Sequence, residues 1–464
     1  MNGKPRAGLL PLYLKLYDDC LPEARGAFEP FLEWVRTGLV ARGVDVVAAP
    51  VCRVADEFAA GVAGLEAQHV DLLVTLHLAY SPSLESIEAL ARTPLPLLIL
   101  DTTMDHDFGL DVDPARLLYN HGIHGVQDLG CMLRRRGKPF EIVAGHVTES
   151  SVLARAADVA RAARAARRLR ETRALRIGEA FPGMGDFSVA DEVLQRKLGV
   201  SVTQIEVAAL ADSAREVTDA MVEEEMARDR ERFGGDVDEG VHRRSVRVGL
   251  ALRRCLDARE ITAFSANFQA FTSPDPPIDT VPFLEIAKAM ERGIGYAGEG
   301  DVLTAAMVAA LLAGWERTTF TEIFCPDWKG DALFLSHMGE INPAVAAERP
   351  RLCEKEFPFT PARNPAFLAC APAPGEAVFV NLAPGPGESF RLIVAPVEVL
   401  GDGTHPAMQQ TVRGWIRPAV PVAGFLEEFT RLGGTHHSAL VLGEHTEAIG
   451  AFARFAGLEC CRVG

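Results

Sequence analysis

No Cys-x-x-Cys pair occurs among the nine cysteines of this 464-residue chain. Paired cysteines at that spacing mark redox or metal centres, and a chain of this length does not need the disulfide framework of small secreted domains. Reduced thiols in a cytosol are the expectation, which the vicinal Cys460 and Cys461 do not change. No uninterrupted apolar run approaches the roughly 18 to 20 residues needed to cross a bilayer. Lys15, Asp18 and Asp19 interrupt the first apolar stretch, which therefore reads as a first strand rather than a signal peptide. Positive charge is also scarce, with 47 Lys and Arg against 63 Asp and Glu and a net charge of −16. Binding a polyanion takes clustered cations that release its counterions, so nucleic acid is excluded as a partner. The main basic run, Arg161 to Arg173, alternates with alanine at helical spacing and reads as a solvated helix face. Internal repeats and low-complexity linkers are missing too.

What remains is an ordinary globular composition, 48% hydrophobic and 24% charged, in a chain long enough for two or three domains. The first 150 residues alternate short apolar runs with amphipathic helices: Gly8 to Leu16, Val44 to Pro50, Val70 to His77 and Leu95 to Asp101. That alternation predicts a parallel sheet with crossover helices, and a ligand crevice near His77 and Asp101 where the strands end. A second α/β unit begins at Ala174 to Gly178 and continues through Val200 to Val207. From about Thr319 the pattern turns to short β-like runs separated by Pro and Gly, which predicts a mainly antiparallel C-terminal domain. The acidic stretch Glu223 to Glu239 reads as an exposed helix and its loop.

Several polar residues carry chemistry in their spacing. Glu299 lies in Gly298-Glu299-Gly300-Asp301 before an apolar helical segment, with Asp301 as a fitting N-cap. Its glycines suit a carboxylate held at a domain edge and equally suit a plain turn. Glu322 and His337 flank a turn at Pro326 to Gly330. A hairpin centred between Lys329 and Gly330 makes them direct cross-strand neighbours, about 5 Å apart at Cβ. That distance fits a divalent cation or an ordinary hydrogen-bonded pair. His436 and His437 point in different directions on an extended backbone, so one of the two meets a given metal. His121, His124 and His146 read as caps, core histidines or proton carriers.

Taken together, these segments resemble the L-arabinose isomerase family. Gly293 to Asp301 with Thr304-Ala305-Ala306 is similar to its glutamate segment, and Ser336-His337-Met338-Gly339-Glu340-Ile341-Asn342-Pro343 to its His-Met segment. Gly433-Gly434-Thr435-His436-His437 resembles its double histidine, and Ser265-Ala266-Asn267-Phe268 its substrate-facing phenylalanine segment. The resemblance implies an α/β chain with two Rossmann-like parallel-sheet domains, 1–170 and 171–317, and a β-rich third domain, 318–464. It implies a cytoplasmic hexamer with active sites at subunit contacts, and a divalent cation, manganese first, on Glu299, Glu322, His337 and His437. Both Rossmann-like units are expected to lack a dinucleotide, since neither has Gly-x-Gly-x-x-Gly after its first strand. Glu299 and Glu322 become the acid and base of aldose–ketose isomerisation through an enediol, and His121 a catalytic group from a neighbouring subunit. Sugar contacts are implied at Lys15, Tyr17, Phe268 and His436. Where the family has Gln-His-Leu-Tyr-Gly this chain has Leu14-Lys15-Leu16-Tyr17-Asp18, and His121-Gly122-Ile123-His124-Gly125 replaces its His-Gly-Gly-Arg-Glu. These departures fall on sugar contacts, so another sugar such as L-fucose or D-arabinose is a rival substrate. A lyase or epimerase using the same enediolate is a further rival, and a non-catalytic sugar-binding protein of the same fold is the rival outside enzymes.

Overall fold

A computed structural model describes residues 3–464, which form two compact units, 3–164 and 165–464. In the first unit, β1 (Arg6–Leu12), β2 (Asp45–Ala48), β3 (Leu72–His77), β4 (Leu97–Asp101) and β5 (Glu141–Ala144) make one parallel sheet in the order β2-β1-β3-β4-β5. Strand order reverses between β1 and β3, which opens a crevice at their C-terminal ends. Leu10, Leu73, Ile99 and Leu129 lie in the buried core under the crossover helices.

The second unit holds two architectures. A parallel sheet, in the order β7-β6-β8-β9, is built from β6 (Arg173–Ile177), β7 (Ser201–Ile205), β8 (Ala263–Ala266) and β9 (Gly295–Gly298). After β10 (Thr318–Asp327) and β11 (Ala332–Ser336), a separate ribbon forms from β12 (Arg351–Glu354) and β13 (Ala366–Ala369). Strands β14 (Gly375–Pro384), β15 (Phe390–Val399), β16 (Gly414–Pro418) and β17 (His437–Leu442) follow, and β18 (Glu459–Arg462) adds in parallel to β15. Antiparallel pairing runs β14-β17-β10-β11-β16-β15 and returns from β15 to β14, so six strands close into a ring without free edges. The expected parallel-then-antiparallel order is what the structure has.

Between the parallel sheet and the ring lies the helix Val302–Gly314, packed against β6, β8 and β9 on one side and β10, β14 and β17 on the other. Its sequence has no polar face because both faces meet apolar sheets. Twelve of its 13 residues are buried.

Two expectations need correction. The acidic helix Asp219–Arg232 is not simply exposed: Val222, Glu225, Met226 and Asp229 form its buried face. Side chains from neighbouring helices meet these carboxylates. Lys288 Nζ lies 2.9 Å from Glu225 and also pairs with Asp229, Arg253 lies 2.7 Å from Glu225, and His242 Nε2 is 3.0 Å from Asp229. The basic run, by contrast, forms the helix Val152–Arg170 with alanines buried and Arg161, Arg164 and Arg167 partly exposed.

The second correction concerns the hairpin. Cys325 to Asp327 pair with Phe334 to Ala332 around the expected centre, but a β-bulge at Phe324 shifts the register. The extra residue moves Glu322 opposite Ser336 instead of His337. On its other flank Glu322 faces His437 of β17 directly.

Burial would raise the carboxyl pKa of Glu225, but Arg253 and Lys288 outweigh it and bring it down to about 2. Glu225→Gln removes one carboxylate from a cluster in which Lys288 keeps Asp229 and Arg253 keeps Glu285, and should cost about 1 to 3 kcal/mol at neutral pH, read as a lowered denaturation midpoint. Because the folded value lies below the unfolded one, this stabilisation is complete above about pH 4.5 and fades as pH falls towards 2. The gap between wild type and variant should therefore narrow from pH 5 to pH 3, and a constant gap would refute the charge pairing.

Candidate active site

Glu299 sits directly after β9 with φ +64°, a left-handed conformation uncommon outside glycine. Its surroundings hold it there. Its N–H donates to Ala266 O at 3.2 Å, and its carbonyl accepts from Phe181 N at 2.8 Å. The glycines on either side are required by close approach. A Cβ on Gly298 would lie 2.7 Å from the His337 ring, and one on Gly300, at φ +89°, 2.5 Å from Ala180 Cα. Strain of this kind persists where the neighbouring structure over-determines it, commonly at functional sites.

Opposite Glu299, the register of the ring brings in the remaining groups. Glu322 and His437 are cross-strand partners on β10 and β17, and His337 follows directly after β11. His337 Nε2 lies 3.9 Å from Glu322 Oε2, and His437 Nε2 lies 3.6 Å from Glu299 Oε2. Phe320 contributes an apolar floor, its ring 4.8 Å from that of His337 and 5.0 Å from that of His437. Phe187 stacks on His437 at 5.5 Å and 12°.

Each imidazole is oriented through its Nδ1 by a carboxylate. His337 donates to Glu340 at 2.7 Å, His437 to Asp301 at 3.0 Å and His436 to Asp186 at 2.6 Å. Glu340 is itself held by the Tyr296 hydroxyl at 2.9 Å and by Gly339 N–H at 2.8 Å. This arrangement, a carboxylate behind a histidine whose Nε2 faces forward, is how proteins fix metal-ligating imidazoles. His437 Nε2 is buried and has no hydrogen-bond partner. The donors form two groups, Glu322 with His337 and His437, and Glu299 with His436 and His437. Within each group the ligand atoms lie within 4.8 Å of one another. An imidazole and carboxylate donor set of this kind suits a borderline divalent cation.

The two glutamates are pushed apart in pKa. Burial raises Glu322 despite the nearby histidines. Burial also opposes the charge of Glu299, but His436, 3.6 Å from its carboxylate, and the field of His337 and His437 prevail and lower it. His436 is penalised by burial, yet Asp186 and Glu299 carry it up to about 10.

The first unit places the other expected residues. Lys15 and Tyr17 lie on the short helix Lys15–Cys20, where the Lys15 ammonium is exposed and tied to Asp19 at 2.7 Å. His121 Nδ1 is 3.1 Å from Leu118 O, to which it can only donate, so its Nε2 accepts from the Tyr17 hydroxyl at 2.9 Å. His146 is a loop cap, accepting from Glu149 N–H at 3.1 Å on Nδ1. In the second unit, Phe268 joins an aromatic cluster with Phe181 at 5.9 Å and Phe357 at 5.6 Å. Sequence reasoning saw Asp301 only as an N-cap and missed Glu340 and Asp186. Glu340, three residues past a suspected ligand, was within reach of a search for orienting carboxylates, whereas Asp186 stands 250 residues from its partner.

Comparison with known proteins identifies the family. The L-arabinose isomerase N-terminal, central and C-terminal domain families match residues 39–171, 185–313 and 317–459. The chain belongs to the L-arabinose isomerase family. It is an enzyme of the aldose–ketose isomerase class. Curated relatives named L-arabinose isomerase include that of Geobacillus kaustophilus, 29% identical across 84% of this chain and 80% of the relative. That of Anoxybacillus flavithermus is 28% identical across 84% and 79%, and that of Thermotoga petrophila 26% identical across 79% and 75%. A solute-binding protein of an ABC transporter from Agrobacterium vitis, with alpha-D-tagatopyranose bound, matches at 11% identity over 67% of this chain and 89% of that one. Its TM-score of 0.17 is too low to bear on the fold. No helix among the described residues is long and apolar enough to cross a membrane.

Gly298→Ala tests the packing of this site. The added methyl must displace the His337 ring, because the glycine's own backbone is fixed by β-pairing to Ala266. The expected result is a divalent-cation affinity lowered by about 10- to 100-fold with the fold retained, measured by calorimetric titration and circular dichroism.

Proposed function

We propose that the chain is a divalent-cation-dependent aldose–ketose isomerase acting on a free sugar, L-arabinose or a close relative, with manganese as the ion. The observation that carries this reading is the buried, unpartnered Nε2 of His437, facing Glu299 and oriented from behind by Asp301. Glu299, Glu322, His337 and His437 would hold the ion. When bound, it would polarise the sugar carbonyl oxygen and offset the charge of the enediolate. Between them Glu299 and Glu322 take a proton from C2 and deliver one to C1, while the O2 hydroxyl proton passes to O1, the opposite directions of their pKa shifts fitting one proton acceptor and one proton donor. Asp301 and Glu340 keep the Nδ1 proton on each histidine, so that Nε2 stays free to coordinate. Phe320 and Phe187 exclude water around these groups.

Phe268 and His436 are proposed as sugar contacts in the second unit, and Lys15 and Tyr17 in the first. His121, whose Nε2 accepts from Tyr17, is proposed as a further proton carrier. The family resemblance supports a cytoplasmic hexamer and three domains at 1–170, 171–317 and 318–464, the last two fitting the separate sheets of the second unit. One observation favours a second substrate reading: where the family has a sugar-contacting glutamine segment, Lys15 here is paired with Asp19. Another sugar, such as L-fucose, D-arabinose or a modified sugar, is the substrate in that case.

Glu299→Gln and His437→Ala should each abolish turnover and sharply weaken manganese binding, because the remaining donors cannot complete the shell. Variants that fold and still bind manganese as tightly as the parent would refute the site. A panel of aldoses assayed with manganese, with products followed by NMR in deuterated water, should show one ketose labelled at the carbon beside its new carbonyl. Failure of every aldose to turn over would sink the enzymatic reading.

A further inference from the structure

The N–H of Asp301 donates to Gly298 O at 3.0 Å, which closes a four-residue turn with Glu299 and Gly300 at its centre. Their φ values, +64° and +89°, match a type I′ turn, in which both central residues are left-handed. Gly, Asn and Asp dominate such turns, since a longer side chain meets the crowding of its own Cβ there with nothing to offset it. A glutamate at the first central position does not select this turn. The conformation is imposed from outside, and Ser265, fully buried on β8, is the side chain that reaches it. Strand register puts Arg176, Ser265 and Ala297 in one row across β6, β8 and β9, on one face of the sheet. Ser265 Oγ accepts the Gly300 N–H at 2.8 Å, and its own proton has the carbonyls of Ala297 at 2.7 Å and Gly298 at 2.9 Å within reach. From the same row Arg176 Nε donates to Gly300 O at 3.3 Å, its guanidinium fixed by Asp191 at 2.7 Å. One hydroxyl thus grips the backbone on both sides of Glu299.

We propose that Ser265 is a positioning residue for the reaction: its hydroxyl clamps the turn from Gly298 to Asp301 in the left-handed form and so sets the Glu299 carboxylate in the centre and the Asp301 carboxylate behind His437. This rests on the metal-dependent reading above and leaves its four ligands as they are. Without the hydroxyl, the Gly300 N–H becomes a buried donor with no acceptor, and the turn relaxes towards the right-handed forms that glutamate prefers. Glu299 then leaves the centre. The sheet stays, because its ladder pairs backbone groups and does not use this side chain. Arg176 supports the clamp at the carbonyl of Gly300, the other end of the residue whose N–H Ser265 holds.

Ser245 supplies a matched control, because its buried hydroxyl on the helix Glu239–Ala258 also accepts one backbone N–H, that of Ala366 at 2.8 Å, and takes no part in the turn. Full-length Ser265→Ala, Ser265→Thr, Ser245→Ala and Glu299→Gln proteins are compared by thermal denaturation, by calorimetric titration with manganese, and by kcat and KM for the aldose that turns over. Both alanine variants should lose stability to a similar extent, each having lost the acceptor of a buried N–H. Ser265→Ala alone of the two should also weaken manganese binding by about 10- to 100-fold and lower kcat by about as much, with the sugar KM near its parental value. Ser265→Thr keeps the hydroxyl on a side chain suited to a strand and should recover most of both. If Ser265→Ala fails to fold, Ser265→Cys, whose sulfur accepts only weakly, serves in its place. Parental manganese affinity and kcat in the Ser265 variant, with stability lowered as in Ser245→Ala and binding lost in Glu299→Gln, would overturn the proposal while leaving the metal centre standing. Parental affinity in Glu299→Gln would overturn both.

Discussion

A fully buried carboxylate is costly unless its oxygens are met, and Asp301 meets that condition by serving two elements at once. One oxygen accepts the Thr304 N–H at 2.8 Å and starts the helix Val302–Gly314, while the other accepts from His437 Nδ1 at 3.0 Å. The helix fills the space between the parallel sheet and the closed ring, and His437 is the first residue of a ring strand. The position of Glu299, two residues earlier, is therefore referenced to the opposing histidine through a single side chain. Little freedom is left between the two halves of the centre, as preorganised chemistry requires.

Around that link the site is a balance of charge in a partly buried setting. Two glutamates face forward, three carboxylates stand behind the histidines, and aromatic rings close the gaps. The accumulated negative charge explains why His436 keeps its proton so strongly, and the same field favours a divalent cation. The left-handed backbone at Glu299 adds a geometric demand that the flanking glycines and the hydrogen bonds to Ala266 and Phe181 satisfy.

Much of the fold was legible because period and punctuation are local. The runs ending at His77 and Asp101 became β3 and β4 of a parallel sheet. The hairpin turn at Lys329 and Gly330 was legible as well. The bulge at Phe324 was not, because one surplus residue leaves no mark in an alternating pattern, and it moved Glu322 from His337 to Ser336. The acidic helix misled for a related reason. Its buried carboxylates depend on Lys288 and Arg253, which lie far along the chain. Asp186 behind His436 is the same lesson at the site itself, where a loop glycine run offered no sign of a histidine partner.

The helix Val302–Gly314 has no polar face to show to water, and its second side is covered by strands that end with Leu442. During synthesis this segment leaves the ribosome well before β17 exists. Until that strand arrives, an apolar helix with one bare side waits in solution, so the half-made chain is the form of this protein most exposed to aggregation and most in need of a chaperone.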